Sequence, residues 1–519
     1  MPISPVFAGI YPTHALRIHV FVRYESNTDL GPEGMEYDLA GHRSAVVRLP
    51  DRTLLVTNPD EPWGYAPEGG RWDRVYNLDP YSQDPAIRTN WVLMSAHHGM
   101  GSSGMRDTSW NPAGKVKLFG DSGGSQLKSG TTDYVDPKGG AVWMNQTCDV
   151  GVPLDVPPRF VDVHYPELMA PLIEIQKRHN ELFLSRARKA TPNRDGLTLL
   201  NCSHGQTLDQ TYEWCRAVQD DRFGGWAVGS DGLQDYEQLR AAAIVTQEFD
   251  DWNGEGHIHL FGAMNVTRAP ALAWMGKFIK NLTCDGVGWM DGVAYHRTKY
   301  LDISGAVYTR HFGYKARNER KALIGSASPC SCPVCEAIGG HWQVFSMPRA
   351  TPGPNLQLLH ELWMTQRTYD MWSHRAMNTR TLEEYKEWVT VSYMKGRDSA
   401  GARKALREVL LRVQYVHDLF TLGPRETTEK HKSKVISDLG ASATGHMGTL
   451  FGKSSTLKDT FGGSYGLPSS RVSTLPHYLT LEEMRSFGLQ TDDLLPGVAD
   501  GAPYKGPAHK VNRYKKSAG

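Results

Sequence analysis

From about residue 91 the chain alternates short apolar runs with stretches in which apolar positions recur every three or four residues. That pattern predicts βα units around a parallel sheet. The runs are Trp91–Ser95, Val116–Phe119, Val150–Leu154, Leu197–Leu200, Trp226–Val228, Ile258–Phe261, Gly286–Trp289 and Ala322–Ile324. Eight runs is the strand count of a (β/α)8 TIM-like barrel, an α/β fold. Between them Leu168, Leu172, Ile175, Leu182 and Phe183 predict a helix over 167–189. Ahead of the alternation, Ala45–Leu49 and Thr53–Thr57 flank Pro50-Asp51 like a hairpin, so residues 1–90 read as a β-rich N-terminal extension. Downstream, 381–422 predicts helix: Thr381 and Glu384 form a capping box, Leu406, Val409, Val413, Val416 and Phe420 form one stripe, and Gly423-Pro424 stops it. From 430 to 475 Ser, Gly, Thr and Lys dominate, and the chain ends in Lys505, Lys510, Arg513, Lys515 and Lys516, which predicts a flexible, basic-tipped extension. The expected organisation is an extension over 1–90, a barrel over 91–380 with an inserted metal module at 325–365, a helical segment over 381–430 packing on the barrel, and the C-terminal extension 431–519.

Composition narrows the function classes. Lys plus Arg number 57 against 56 Asp plus Glu, so overall charge predicts neither a histone-like DNA binder nor an acidic disordered chain. No stretch approaches the roughly 20 apolar residues that span a bilayer, and the start of the chain lacks a basic region followed by an apolar one. The expectation is a soluble, cytoplasmic protein with no membrane partner. Gly452-Lys453-Ser454 resembles a phosphate loop, but Gly448 is one residue too close and no apolar strand precedes it.

Of seven cysteines, three fall in Cys330-Ser-Cys332-Pro-Val-Cys335, and His360 follows in Leu358–Leu362. Three thiolates and one imidazole close a tetrahedral shell and leave no open position, which predicts a structural Zn²⁺ site near the C-terminal end of the barrel. His341 is the weaker rival to His360. The isolated Cys148, Cys202, Cys215 and Cys284 read as small core residues.

Chemically capable residues follow the predicted strands, the end at which a barrel builds its active site. Asp121-Ser122-Gly123-Gly124 places a carboxylate, a hydroxyl and two permissive backbone positions after the second strand, although Asp121 also suits a helix cap. Asp155, Ser203 and His204, and Asp291 follow later strands. Asp155 and Asp291 also have a capping alternative. His97 and His98 follow the first strand, where packing in the core is one reading of them.

Taken in order, Asp121-Ser-Gly-Gly124, Asp155, Ala227-Val-Gly229, His259-Leu-Phe-Gly262, Gly286–Asp291 and the cysteine cluster with His360 resemble the tRNA-guanine transglycosylase superfamily over roughly residues 90–365. The resemblance implies base exchange on a polynucleotide. An enzyme carboxylate displaces guanine from C1′, and a 7-deazaguanine then attacks the covalent glycosyl-enzyme. It assigns Asp291 as nucleophile and Asp121 as general acid/base. Asp155 then holds the base edge, with Ser122, Gly123, Gly124, Ser203, Gly229 and Ser230 lining the base site, and Met264 is the candidate stacking wall. Arg297, His97 and His98 are the candidates for contact with the nucleic acid.

The departures fall on recognition positions. Ser125 stands where the family has an aromatic residue, Ser203-His204-Gly205 replaces Gln-Gly-Gly, Ser230 replaces a glycine, and Ala294-Tyr295-His296-Arg297 replaces the Pro-Thr-Arg stretch. With the carboxylates retained, the pattern is most similar to the DNA 7-deazaguanine transglycosylase branch of bacteria and phages. That branch implies DNA and a free base such as preQ0 as partners, in a host cytoplasm if phage-encoded. The alternatives are a tRNA-guanine transglycosylase, and a catalytically silent, zinc-stabilised RNA-binding subunit. Many members of the superfamily are dimers, so a homodimer is among the assemblies the resemblance implies.

Overall fold

The computed structural model describes residues 3–8, 17–24, 36–38, 45–57, 72–101, 114–123, 136–155, 169–189, 196–205, 207–229, 235–249, 255–290, 297–301, 307–311, 330–346, 353–394 and 400–431. Strand β1 (Ser4–Ala8) belongs to the main sheet. The next five, β2 (His19–Tyr24), β3 (Glu36–Asp38), β4 (Ala45–Leu49), β5 (Arg52–Thr57) and β6 (Arg74–Asn77), form a separate antiparallel sheet in the order β3-β4-β5-β2-β6. The expected hairpin is present there: Leu49 pairs with Arg52 across Pro50-Asp51.

The main sheet adds β7 (Trp91–Ser95), β8 (Lys117–Asp121), β9 (Val150–Gly151), β10 (Thr198–Leu199), β11 (Asn201–Ser203), β12 (Gly225–Val228), β13 (His257–Leu260) and β14 (Asn281–Gly286). With β1 it has nine strands in the order β10-β9-β8-β7-β1-β14-β13-β12-β11, and every pairing is parallel. Its two edge strands, β10 and β11, are separated along the chain only by Leu200, so the sheet is nearly closed and barrel-like. Parallel strands require crossovers. Helices α1 (Ala96–Gly101), α2 (Pro137–Thr147), α3 (Met169–Lys189), α4 (Leu208–Val218), α5 (Asp235–Glu248) and α6 (Ala269–Met275) supply them. Local chemistry starts two of these helices. Asp136 accepts from the Lys138 N–H with Pro137 at the first helical position, and Thr207 and Gln210 close a capping box on α4.

Side chains alternate across each strand, so the sheet buries two distinct surfaces. Val6, Ala8, Leu93, Phe119, Val150, Val152, Leu200, Cys202 and Ala227 form the inner cluster, separate from the larger core between strands and helices. Gly225 marks a close approach in this wall. Its φ is 150°, and a Cβ there would lie 2.0 Å from the His257 carbonyl oxygen on the neighbouring strand. Gly225→Ala is therefore expected to cost roughly 3–5 kcal/mol, a strained backbone plus overpacking. A urea melt within about 0.5 kcal/mol of wild type would refute this reading of the strand.

Two expectations change. The strand predicted at Gly286–Trp289 lies earlier, at Asn281–Gly286, and the Met290 N–H turns back to the Val287 carbonyl at 2.9 Å. The reason is that Thr283 and Asp285 face inward on this strand, so its alternation is polar inside and apolar outside, which hides it from a search for apolar runs. The run Ser4–Ala8, expected in the extension, instead enters the main sheet between β7 and β14. Pro5 argues against a strand by composition, because it has no N–H to give to a ladder. The predicted strand at Ala322–Ile324 and the extension 431–519 lie outside the described residues, apart from His431.

A hairpin of β15 (Arg297–Leu301) and β16 (Val307–His311) follows, then α7 (Pro333–Ala337), α8 (Gly353–Asn378), α9 (Leu382–Met394) and α10 (Ala400–Thr421). The expected helical segment is thus two helices, whose linking residues 395–399 are not described. The cap at Thr381 accepts the Glu384 N–H at 3.2 Å, while Glu384 reaches the Arg380 N–H at 3.0 Å. The predicted stripe is buried at Leu406, Val409, Val413 and Val416, and Phe420 stacks on Phe278 with centroids 4.7 Å apart. Helix α6, buried at every position, is what the C-terminal helices cover. Tyr385 Oη donates to the Pro270 carbonyl at 2.8 Å and Gln247 Nε2 to the Leu419 carbonyl at 2.9 Å. No described helix is long and apolar enough to cross a membrane.

Candidate active site and metal centre

Because all strands of the main sheet are parallel, their C-terminal ends share one rim. Asp121 ends β8, and its turn is shaped by Gly123, whose φ of 94° suits glycine. Burial, then the neighbouring carboxylates of Asp155 and Asp285, push the Asp121 carboxyl up to about 8, against backbone N–H donation from Gly123 and Ser122. The three carboxylates are thus electrostatic neighbours although they lie up to 164 positions apart in the chain.

Asp285 sits next to last in β14, two positions past Thr283 and on the same inner face. Thr283 Oγ1 lies 2.7 Å from His257 Nε2 and 2.8 Å from His259 Nδ1. The far nitrogen of His259 stands 3.5 Å from Asp285 Oδ1, which accepts the Gly262 N–H at 2.6 Å. His259 stacks on Phe119 from across the interior, centroids 4.0 Å apart. Burial lowers His257 to about 3, so it is neutral at physiological pH. This column holds Asp285 in place from below.

Asp155 accepts from Ser122 Oγ, and its other oxygen stands 3.7 Å from His204 Nε2. His204 is 2% exposed, and burial drives its imidazole down to about 3. Strand alternation sends Cys202 and His204 inward and Ser203 outward. Ser203 Oγ lies 3.3 Å from Cys215 Sγ on α4, so its hydroxyl does not line the site as expected. The Gly229 N–H is directed at the Ser203 carbonyl at 3.4 Å. Met264 is buried in the larger core, its N–H donating to the Asp285 carbonyl at 2.7 Å, so it braces β14. His97 and His98 lie in α1 with ring centroids 5.0 Å apart, and burial lowers His98. Arg297 opens β15, opposite His311. Gly124, Ser230 and Asp291 lie outside the described residues, as do Ser125, Tyr295 and His296.

The cysteine cluster forms a second centre. Cys330, Cys332, Cys335 and His360 are all buried, with their ligand atoms within 4.8 Å of one another. His360 Nδ1 lies 3.2, 3.3 and 3.9 Å from the sulfurs of Cys332, Cys335 and Cys330. A sulfur and a nitrogen bound to one tetrahedral zinc stand about 3.5 Å apart, so this donor set fits a metal ion such as zinc. Trp342 Nε1 donates to Cys335 Sγ at 3.1 Å and the Cys335 N–H to Cys332 Sγ at 3.3 Å, contacts that suit thiolates. His341, the rival ligand, turns away to Asp51 at 3.2 Å. Around it, Arg52 Nη1 donates to the Glu336 carbonyl at 2.9 Å, and Arg74 pairs with Glu336 at 2.5 Å. The module is therefore fastened to the N-terminal antiparallel sheet.

Asp285, His204 and His259 form part of the inner rim, and of the three only His204 was named from the sequence, as a residue following a strand and without a role. One sequence signal exists for each: polar residues two apart in a strand, Thr283 with Asp285, His257 with His259, and Cys202 with His204. No protein-family model matches the chain, and no curated protein matches it either.

Proposed function

We propose that this protein is a base-exchange transglycosylase that replaces guanine in DNA with a 7-deazaguanine such as preQ0, with Asp285 as nucleophile in place of Asp291. The observation that carries the reading is Asp121, Asp155 and Asp285 gathered at one rim of a parallel barrel-like sheet, with Asp121 protonated at neutral pH. Counting 198–203 as one interrupted strand turns the nine strands into the eight of a (β/α)8 barrel, and a zinc in the cysteine cluster would serve only to hold structure.

In this reading the Asp285 carboxylate attacks C1′ and the C1′–N9 bond breaks, its electron pair leaving with the base. The departing guanine takes the proton that Asp121 holds. The incoming 7-deazaguanine gives its N9 proton to Asp121 and attacks C1′, which releases Asp285. Two displacements retain configuration, as in a retaining glycosidase. Asp155 faces the base edge, and the target nucleotide must leave the stack for C1′ to be reached. The altered recognition positions favour DNA over tRNA, and the intact carboxylates disfavour a silent subunit.

Incubation with labelled guanine or preQ0, offering DNA and tRNA side by side, tests this. Label in DNA is expected; label in tRNA alone replaces the polymer, and label in neither overturns base exchange. The pH profile is a further expectation. Asp121 must be protonated for the first step, so the rate should fall as pH rises through about 8. Asp121→Asn should lower the rate about 10²–10⁴-fold and remove that limb. Stability shifts in the same sense: a carboxyl raised in the folded state binds protons the unfolded chain has released. Wild type should therefore lose stability relative to Asp121→Asn between about pH 4 and 8, read as the difference between the two melts at each pH.

A further inference from the structure

Beneath Asp155, three potential ligands of different chemistry meet. Asp155, Cys202 and His204 each offer one ligand atom within 4.8 Å of the others, and the last two are buried. They come from one rim: Asp155 follows β9, and Cys202 and His204 share the inner face of the chain through β11, where a period of two brings both to one spot. A composition-level reading makes Cys202 a small core residue. The structure buries it in the inner cluster as expected, and the geometry around His204 gives it a further capacity. Among the described residues neither of its ring nitrogens has a hydrogen-bond partner, although the side chain is 1% exposed. A buried imidazole without partners is costly unless something takes its lone pair.

The geometry points to a second metal site, in which Asp155, Cys202 and His204 bind a zinc-class divalent cation separate from the cysteine cluster. Nitrogen, sulfur and carboxylate oxygen together are the donor set of a borderline-soft cation. Two light donors on one tetrahedral zinc stand roughly 3.3–3.5 Å apart, close to the 3.7 Å from His204 Nε2 to Asp155 Oδ2. The surroundings resemble a supporting shell. Ser122 Oγ donates to Asp155 Oδ1 and leaves Oδ2 toward His204. Trp214 meets the imidazole edge-on, centroids 4.8 Å apart, and its Nε1 donates to the Cys202 carbonyl at 2.9 Å, tying ligand strand to helix. Three protein ligands leave a fourth position, the pattern of an open rather than a closed zinc site. Asp155, the one partly exposed ligand, sets its direction toward the carboxylate rim.

This inference does not rest on base exchange, since metal content is measured without substrate. Full-length protein saturated with Zn²⁺ and desalted should carry a second equivalent beyond the cysteine cluster. Cys202→Ser and His204→Ala should each weaken that equivalent by about 10²-fold or more, while Ser203→Ala, whose hydroxyl faces α4, should keep it. Co²⁺ loading gives an independent signature: Cys202→Ser should remove the thiolate-to-cobalt band of a one-sulfur site and leave the three-sulfur spectrum. Asp155→Asn, at a partly exposed position, provides the same measurement if either buried variant fails to fold. A single equivalent in wild type overturns the proposal, as does a second equivalent retained by the Asp155 and His204 variants.

Discussion

Asp285→Asn is expected, under the proposed base exchange, to abolish the covalent adduct with the polynucleotide and to lower the rate by about 10⁴-fold or more, the scale on which loss of a nucleophile is felt. The substitution is conservative in shape. An asparagine oxygen still accepts the Gly262 N–H, and the neighbouring His259 and Thr283 stay where they are, so the variant should melt close to wild type. Asp291→Asn should change exchange by less than about tenfold, because Asp285 already supplies a carboxylate on the inner face of β14 beside Asp121. Trapping on DNA followed by denaturing electrophoresis separates the two. An adduct formed by Asp285→Asn but not by Asp291→Asn would return the role to Asp291 and require a different placement of the rim.

Metal removal should have the second large effect, and through structure rather than chemistry. Cys332→Ser takes one thiolate from a buried cluster whose other members would be left without their shared partner. Binding energy at such a site is folding energy. The variant should lose the metal and at least about 4 kcal/mol of stability, the range in which single changes become exceptional. The loss should spread beyond the module. Arg52 and Arg74 hold Glu336 and its carbonyl, and Asp51 holds His341, so hydrogen exchange in β5 and β6 should accelerate along with that in α7. A chelator should reproduce the effect. A Cys332→Ser protein with wild-type melting and exchange would show that the cluster is not a folding element.

How much of this was legible depended on which side of each strand carried the apolar residues. Trp91–Ser95 and Trp226–Val228 were found as strands within a residue or so because their apolar content is high on both faces, and Ile258–Phe261 because Ile258, Leu260 and Phe261 keep the run apolar around His259. The strand Asn281–Gly286 was misplaced because Thr283 and Asp285 are inward and polar. The shift of the strand is what brings Asp285 forward, beside Asp291, as a candidate for the proposed nucleophile. Ser203 was expected to line the site and His204 was given no role for the same reason: without the strand frame, adjacent residues cannot be assigned to opposite faces. The cysteine cluster was legible in full, since C-x-C-x-x-C specifies three ligands locally and needs only one more.

The sequence alone determined the parallel alternation, the antiparallel hairpin at Pro50-Asp51, the helical stripe over 406–420 and the metal-ligand set, all of them patterns with a short period or a short span. Only the tertiary structure decided that Ser4–Ala8 enters the main sheet, that the cysteine module fastens to the N-terminal sheet, and that Asp121, Asp155 and Asp285 share a rim. The physical reason is range. Propensity, capping and ligand spacing act over a few residues, whereas the desolvation and mutual repulsion that keep Asp121 protonated exist only once a nearly closed sheet brings distant strand ends together.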